Sequence, residues 1–253
     1  MKNNYILSYN LNGWCPVNRK LSYDQKIRSF ASYVFKFYEK PIFIMIQEII
    51  AGRDQKYLKL IESLFKDYEV ILPLFDYDKH NRSIMSVTLI KKDVLKGYSR
   101  KDFDVELPNR INYVIANIDN QEYHLINTHV VQTVNFKNKA AWFIEERKRL
   151  YKYQWELLIS KAKETNDCNV IIAGDFQEPF HKSHLMELER LGYKGPQLNN
   201  TNTVENSFFG DNTCIDHIIF SASAYKKHMP VILVDSNKVG LWSDHSLICA
   251  KCL

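Results

Sequence analysis

Short apolar runs alternate along the chain with longer segments of helical periodicity, and this alternation restricts the fold more than any other feature. The strand-like runs are residues 6–9, 42–46, 70–74, 84–90, 113–118, 124–127, 170–173, 215–220, 231–234 and 246–250. Helical spacing is clearest in residues 23–38, 55–65 and 140–162. Many of the runs are apolar at nearly every position, which is typical of strands buried on both faces. The pattern predicts a sheet core flanked by helices.

One polar turn indicates how part of this sheet is connected. Residues 119–122 read Asp-Asn-Gln-Glu and separate two strand-like runs. A short polar turn of this kind suits a β-hairpin. Part of the sheet should therefore be antiparallel, and a purely parallel doubly wound sheet is disfavoured.

Length and composition favour one domain spanning residues 1–253. The chain is 45% hydrophobic and 25% charged, which is enough for one large core, and it has no internal repeat and no Pro/Gly/Ser-rich linker. A net charge of +5 permits a polyanionic partner without requiring one. No apolar run has the length of a membrane span, the N-terminus lacks the apolar core of a secretory signal, and the five cysteines form no disulfide framework. We therefore expect a soluble, cytoplasmic protein.

Polar residues follow several of the apolar runs, at the point where each strand ends. They are Asn10, Asn12, Glu48, His129, Asp175, Gln177, Asp216, Asp244 and His245. Chains that leave a sheet at one edge can present such side chains to a common site. Carboxylates and amides without clustered cysteines favour a hard ion such as Mg²⁺ or Mn²⁺, whose natural substrate is a phosphate ester. Each motif alone could equally be an ordinary turn or a solvated strand end.

Six motifs occur along the chain in an order that resembles that of a known family. The motifs are Ser8-Tyr9-Asn10-Leu11-Asn12-Gly13, Gln47-Glu48, Thr128-His129, Gly174-Asp175-Phe176, Ile215-Asp216-His217 and Ser243-Asp244-His245. Together they resemble the endonuclease/exonuclease/phosphatase superfamily, whose members are similar to deoxyribonuclease I, over nearly the whole chain. The resemblance implies a four-layer α/β sandwich in which two mixed, mostly antiparallel sheets pack face to face with flanking helices. It also implies a divalent-metal-dependent phosphodiester hydrolase.

The resemblance assigns the ion and the phosphate to particular residues. Glu48 would hold the ion, and Asn12 and Asp244 would contribute to the metal site. Asn10 would contact the metal, its waters or the phosphate. Arg82, in a basic loop that borders the groove in this family, would contact the substrate backbone.

The resemblance also implies a set of catalytic residues. Asp175 would orient or deprotonate the attacking water, and His129 would hydrogen-bond the phosphoryl oxygens. Asp216 would pair with His245 and hold its imidazole in one tautomer. Gln177 stands where the family usually has an asparagine that stabilises the transition state, so its amide reaches one methylene further.

Two departures and the choice of substrate leave alternatives open. Besides Gln177, Asn12 replaces an aspartate found in several members, which removes one negative charge near the ion. We expect an intracellular DNA nuclease whose partner is DNA. A tyrosyl-DNA, phospholipid or small phosphoester hydrolase is an alternative, and an alternative of another class is a catalytically impaired phosphate- or nucleic-acid-binding protein.

The segment after His129 carries a further hint about a polyanionic partner. Residues 137–163 carry eight Lys or Arg and three Glu, which form either the solvated face of a helix or a nucleic-acid surface. Phe136, Trp142 and Phe143 open this segment and either stack on bases or join the core.

Overall fold

The computed structural model describes residues 4–13, 21–50, 55–74, 84–133, 139–179, 182–195, 214–235, 243 and 245–252. The strands are β1 (Asn4–Asn10), β2 (Phe43–Ile50), β3 (Tyr68–Ile71), β4 (Ile84–Lys91), β5 (Leu95–Lys101), β6 (Ile111–Ile118), β7 (Gln121–His129), β8 (Val170–Asp175), β9 (Asp216–Phe220), β10 (Val231–Asp235) and β11 (Leu247–Cys252). The helices are α1 (Tyr23–Phe37), α2 (Lys56–Leu64), α3 (Ala141–Glu164), α4 (Ser183–Arg190) and α5 (Ala222–His228), with a 3-10 turn at Pro108–Arg110. None of the helices in these ranges is both long and apolar enough to cross a membrane.

The strands form two mixed sheets. Six strands in the order β10-β11-β1-β2-β4-β3 make the first sheet, and five in the order β5-β6-β7-β8-β9 make the second. Only β1 with β2 and β7 with β8 pair in parallel, whereas the other neighbours are antiparallel. The predicted fold class is confirmed.

Three apolar interiors separate the layers. Ile6, Met45 and Ile248 of the first sheet pack against Leu125 and Ile171 of the second. A second interior lies between the first sheet and the helices α1 and α2, and a third between the second sheet and the helices α3 and α4. Both sheets are therefore buried on two faces, which explains why their strands read as continuous apolar runs.

The predicted hairpin joins β6 to β7. Asp119 and Asn120 form its two-residue turn, and both have positive φ, of 48° and 64°. Turns with two left-handed residues match the twist of antiparallel strands, and Asn and Asp tolerate that conformation better than most residues. The turn lies at one end of the second sheet, and the C-terminal ends of β7 and β8 lie at the other.

The two parallel pairs bring the predicted polar residues to one end of the sandwich. β1 and β2 run in the same direction, so Asn10 pairs with Gln47 at their common end. β7 and β8 likewise end together, with His129 paired with Asp175. Asp216 opens β9 opposite Asp175 because β9 runs antiparallel to β8. Each sheet thus ends at the same side of the molecule in carboxylates, amides and imidazoles.

Candidate active site

Asn10 joins the two sheets at this end. Its Nδ2 donates to Asp175 Oδ2 at 3.2 Å, across the gap between β1 and β8, and lies 3.4 Å from Glu48 Oε1. Its own Oδ1 accepts from the backbone N–H of Asn12 at 2.8 Å, so the turn after β1 holds the amide in one orientation. One fully buried amide thus positions two carboxylates from different sheets.

Asp216 and His245 form a buried carboxylate–imidazole pair. Asp216 Oδ2 accepts from His245 Nδ1 at 2.8 Å, which directs the other imidazole nitrogen, Nε2, toward Asp175 Oδ2 at 3.8 Å. The loop before β11 is fixed by Ser243, whose Oγ donates to Asn10 O at 2.6 Å and accepts from the N–H of His245 at 3.1 Å. The pair therefore has one tautomer and one orientation.

His129 lies on the other side of Asp175. Its Nε2 is 3.4 Å from Glu48 Oε1 and 3.8 Å from Asp175 Oδ2. Burial, together with the nearby charge of Arg110, lowers the pKa of His129 well below its usual value, so the ring is neutral near pH 7. A neutral imidazole can donate one hydrogen bond without adding a net charge.

The backbone behind His129 is held by side chains from outside the sheet. Gln154 of α3 donates to Thr128 Oγ1 and to His129 O, both at 3.3 Å, and accepts from the N–H of Val131 at 3.0 Å. Arg110 donates to the carbonyls of His129 and Val130 at 3.4 and 3.3 Å. These bonds satisfy backbone carbonyls at the end of β7, where its pairing with β6 has stopped.

Asp175 is fully buried at the centre of the cluster. Burial raises its pKa to about 7, and of its neighbours Asp216 adds to that shift whereas His245 opposes it. Gln177 folds back on the carboxylate, donating from its backbone N–H to Oδ1 at 3.0 Å and from Nε2 to Oδ2 at 2.7 Å. The longer amide of Gln177 thus reaches Asp175 itself.

Two glycines allow the backbone to approach closely beneath these side chains. Gly174 has φ +144°, and a Cβ there would lie 1.8 Å from Thr128 O. A Cβ on Gly13 would lie 2.3 Å from Glu48 O. Only glycine fits such positions, which gives a physical reason for the glycines in two of the motifs.

Glu48 is aimed by an irregularity in β2. The register of β2 against β4 shifts between Ile46 and Ile49, and Glu48 has φ 57°. Tyr23 Oη donates to Glu48 O at 2.8 Å and accepts from the N–H of Ile50 at 3.4 Å, which fixes this bulge. Bulges commonly redirect a side chain at a functional edge.

Gln47 and Asn127 form a second bridge between the sheets, and the sequence analysis did not assign them. Asn127 Oδ1 accepts from Gln47 Nε2 at 2.7 Å, and its Nδ2 donates to Val87 O at 2.9 Å. Both side chains are fully buried. An amide within an apolar strand was the available signal, because a buried amide needs specific partners.

The structure brings most of the predicted site residues together. They are Asn10, Glu48, His129, Asp175, Gln177, Asp216 and His245, with Asn12 adjacent through its bond to Asn10. Asp244 and Arg82 lie outside the described residues. His217 points away from the cluster, as its alternation with Asp216 predicts, and its Nε2 lies 2.9 Å from Glu178 O.

The donor set of the cluster fits a hard divalent ion. Asp175, Asp216 and His245 each offer a ligand atom within 4.8 Å of the others, although Nδ1 of His245 is engaged by Asp216. Asp216 Oδ1 is buried with no hydrogen-bond partner among the described residues. Glu48 is the partly exposed carboxylate of the cluster, with 11% of its side chain accessible to solvent. This exposure suits a bound ion that keeps some of its water ligands.

Comparison with known proteins settles the fold. No protein-family model and no curated protein sequence matches the chain. Among solved structures, it superposes on TDP2 from D. rerio in complex with single strand DNA product, with a TM-score of 0.68, 19% identity and 99% of each chain covered. The chain has the endonuclease/exonuclease/phosphatase fold.

Two further structures of this fold match over nearly the full length. An AP endonuclease from Archaeoglobus fulgidus gives a TM-score of 0.64 at 16% identity, with 98% of each chain covered. The 3′ phosphatase NExo from Neisseria, bound to a product DNA hairpin, gives 0.65 at 13% identity with 99% of each covered. The likeness in fold thus extends over nearly the whole chain in each comparison.

Proposed function

We propose that the protein is a divalent-metal-dependent phosphodiesterase that acts as a DNA nuclease. One observation carries the proposal: Glu48, His129, Asp175 and the Asp216–His245 pair converge on a single buried point, with Asn10 holding carboxylates from both sheets. Structural neighbours with DNA products in their complexes support a nucleic-acid substrate. Mg²⁺ or Mn²⁺ fits the oxygen-rich donor set.

Asp175 is the group we assign to the attacking water. Its carboxylate is buried, and its pKa of about 7 lies near the working pH, where a general base is most effective. Gln177 must release Oδ2 for a water to take its place, because its amide now lies 2.7 Å from that oxygen. Asn10 keeps the carboxylate in place during this exchange.

The two imidazoles have separate tasks in this proposal. Neutral His129 donates to a phosphoryl oxygen from Nε2, the nitrogen that now faces Glu48 and Asp175. The Asp216–His245 pair assists proton transfer, with the carboxylate stabilising the imidazolium that forms. Glu48 would hold the ion, which when bound neutralises charge on the phosphoryl group.

The direct test is cleavage by purified protein. Supercoiled plasmid, linear duplex, single-stranded DNA and RNA are each incubated with Mg²⁺, Mn²⁺ or EDTA. We expect metal-dependent cleavage that Asp175→Asn reduces by about 10²- to 10⁴-fold, the usual contribution of a general base. Asp67→Asn is the matched control, since this exposed carboxylate pairs only with Lys40 at the surface among the described contacts.

Equal rates for the wild type and Asp175→Asn would exclude the assigned role of Asp175. Absence of cleavage of any polymer would redirect the search to tyrosyl-DNA, phospholipid and small phosphoester substrates. Failure of all of these would favour the binding-protein alternative, for which the Gln177–Asp175 contact is the supporting observation. In that case Gln177→Asn, which shortens the amide, should restore measurable hydrolysis.

A further inference from the structure

The long helix α3 extends past the strand ends at which the cluster lies. Gln154 is level with the end of β7, where it bonds Thr128 and His129, and Arg147 donates from Nε to Gln132 O at 3.0 Å. At about 1.5 Å per residue, Arg147 lies roughly 10 Å past that level and the first residue of α3 roughly 20 Å past it. The start of α3 therefore lies beyond the end of β7, on the side of the molecule where the cluster lies.

One face of this projecting segment alternates cations and aromatic rings. Phe143 and Arg147 are four residues apart on α3 and share the helix face that carries Gln154, and Lys139 precedes the helix next to Phe143. Lys139 Nζ lies 6.0 Å from the centre of the Phe143 ring.

Trp142 adds a second ring beside this row. It packs edge-on against Phe143, with centroids 5.9 Å apart and an interplanar angle of 83°. Its side chain is 72% exposed, more than any other large apolar side chain of the described residues. Because the ring is exposed, packing in the core does not explain why a tryptophan stands at this position.

The other charges of this part of α3 largely cancel. Glu145 pairs with Lys148, Glu146 with Arg149, and Glu156 with Lys152. Arg149 is also held by Glu106. The solvated-helix expectation is thus correct for most of the basic residues, and Lys139, which lies beside the Phe143 ring, supplies a cation that complements a phosphate backbone.

We propose that this surface, the α3 track, binds an unpaired nucleic-acid strand and leads it to the cluster at His129. The track consists of Lys139, Trp142, Phe143 and Arg147. Interleaved cations and aromatic rings bind single strands by pairing with phosphates and stacking on bases. The proposal deepens the nuclease function and rests on it.

The exposed Trp142 ring selects an unpaired strand over a duplex. Stacking on an aromatic side chain requires a base with an open face. Neighbouring base pairs cover these faces in a duplex, whereas the bases of a single strand can unstack and lie against the Trp142 ring.

Binding in EDTA tests the track without turnover. The probe is a fluorescein-labelled oligothymidylate of about 16 nucleotides, the upper end of known single-strand site sizes, and the readout is fluorescence polarisation. Trp142→Ala should weaken binding by roughly 5- to 150-fold, the contribution of one stacked base. Trp142→Phe should retain most of the affinity. Phe37→Ala removes another exposed ring, at the end of α1, and serves as the control.

Two further arms separate stacking from charge. Lys139→Gln should lower the slope of log Kd against log salt by about 0.7, the value for one contact to a single strand. Trp142→Ala should change the affinity for a fully paired duplex less than twofold. Equal single-strand affinity of Trp142→Ala and the wild type, or an equal loss with duplex, would overturn the proposal. Because the assay needs no cleavage, absence of hydrolysis would instead contradict the proposed function.

Discussion

Substitution of Gly174 by alanine should separate β7 from β8 under the cluster. Gly174 pairs with Thr128 in the parallel register, and the added Cβ would lie 1.8 Å from Thr128 O and 2.8 Å from Thr128 C. Both neighbours are backbone atoms of a buried strand, so neither can turn aside as a flexible side chain would. The φ of +144° is also one that L side chains rarely adopt.

The expected loss of stability follows from these two effects. A non-glycine residue in such a backbone conformation costs about 1–3 kcal/mol. Moving the strands apart also weakens adjoining bonds such as Val130 N–H to Asp175 O, at 2.8 Å, each of which contributes about 0.5–1.5 kcal/mol. With two such bonds lost, we expect Gly174→Ala to lower the free energy of unfolding by about 2–6 kcal/mol, a large part of the roughly 5–15 kcal/mol typical of a domain.

Urea denaturation followed by tryptophan fluorescence measures this loss. Gly97→Ala is the matched control, because Gly97 lies in the edge strand β5 and a Cβ there would meet nothing within 4 Å. That variant should remain within about 1 kcal/mol of the wild type. If Gly174→Ala were as stable as Gly97→Ala, the close approach of β8 to Thr128 would be wrong.

Two further predictions concern the charges of the site. Asp216→Asn and His245→Gln should each reduce turnover by about 10²- to 10⁴-fold. The double variant should lose little more turnover than either single variant, because the two side chains act as one pair. A double variant whose loss equals the product of the two single losses would show that the two residues have separate roles. In EDTA, the unfolding free energy of the wild type should fall relative to Asp175→Asn as pH rises from about 4 to about 7. Burial raises the Asp175 pKa from 3.8 to about 7, so across this window the native state holds a proton that the unfolded state has lost. Parallel pH profiles for the two proteins would contradict the buried position of that carboxylate.

Periodicity predicted most strands and the clustering of polar residues at one end of the sandwich, for a clear physical reason. Strands buried on both faces must be apolar throughout, so the polar residue at the end of each run stands out. Asn10, Glu48 and Asp175 were found in this way. The sequence missed β5, whose residues Leu95–Lys101 are mostly polar because it is an exposed edge strand.

Other features of the site depend on contacts that no local pattern encodes. Asn10 and Asp175 are 165 positions apart, and the Gln47–Asn127 bridge spans 80. The fold-back of Gln177 onto Asp175 depends on a positive φ of 54° at Gln177, which its residue type does not predict. The roles assigned to the individual site residues stay predictions until the variants are measured.

The place of β11 between β1 and β10 has a consequence for synthesis of the protein. β1 is translated early, yet its antiparallel neighbour follows only after Ser243, which bonds Asn10 across 233 positions. Until then, the edge of β1 that pairs with β11 has no partner strand, and Asp216 has not yet bonded the imidazole of His245. The cluster is therefore incomplete until residues 243–252 have been translated and have left the ribosome.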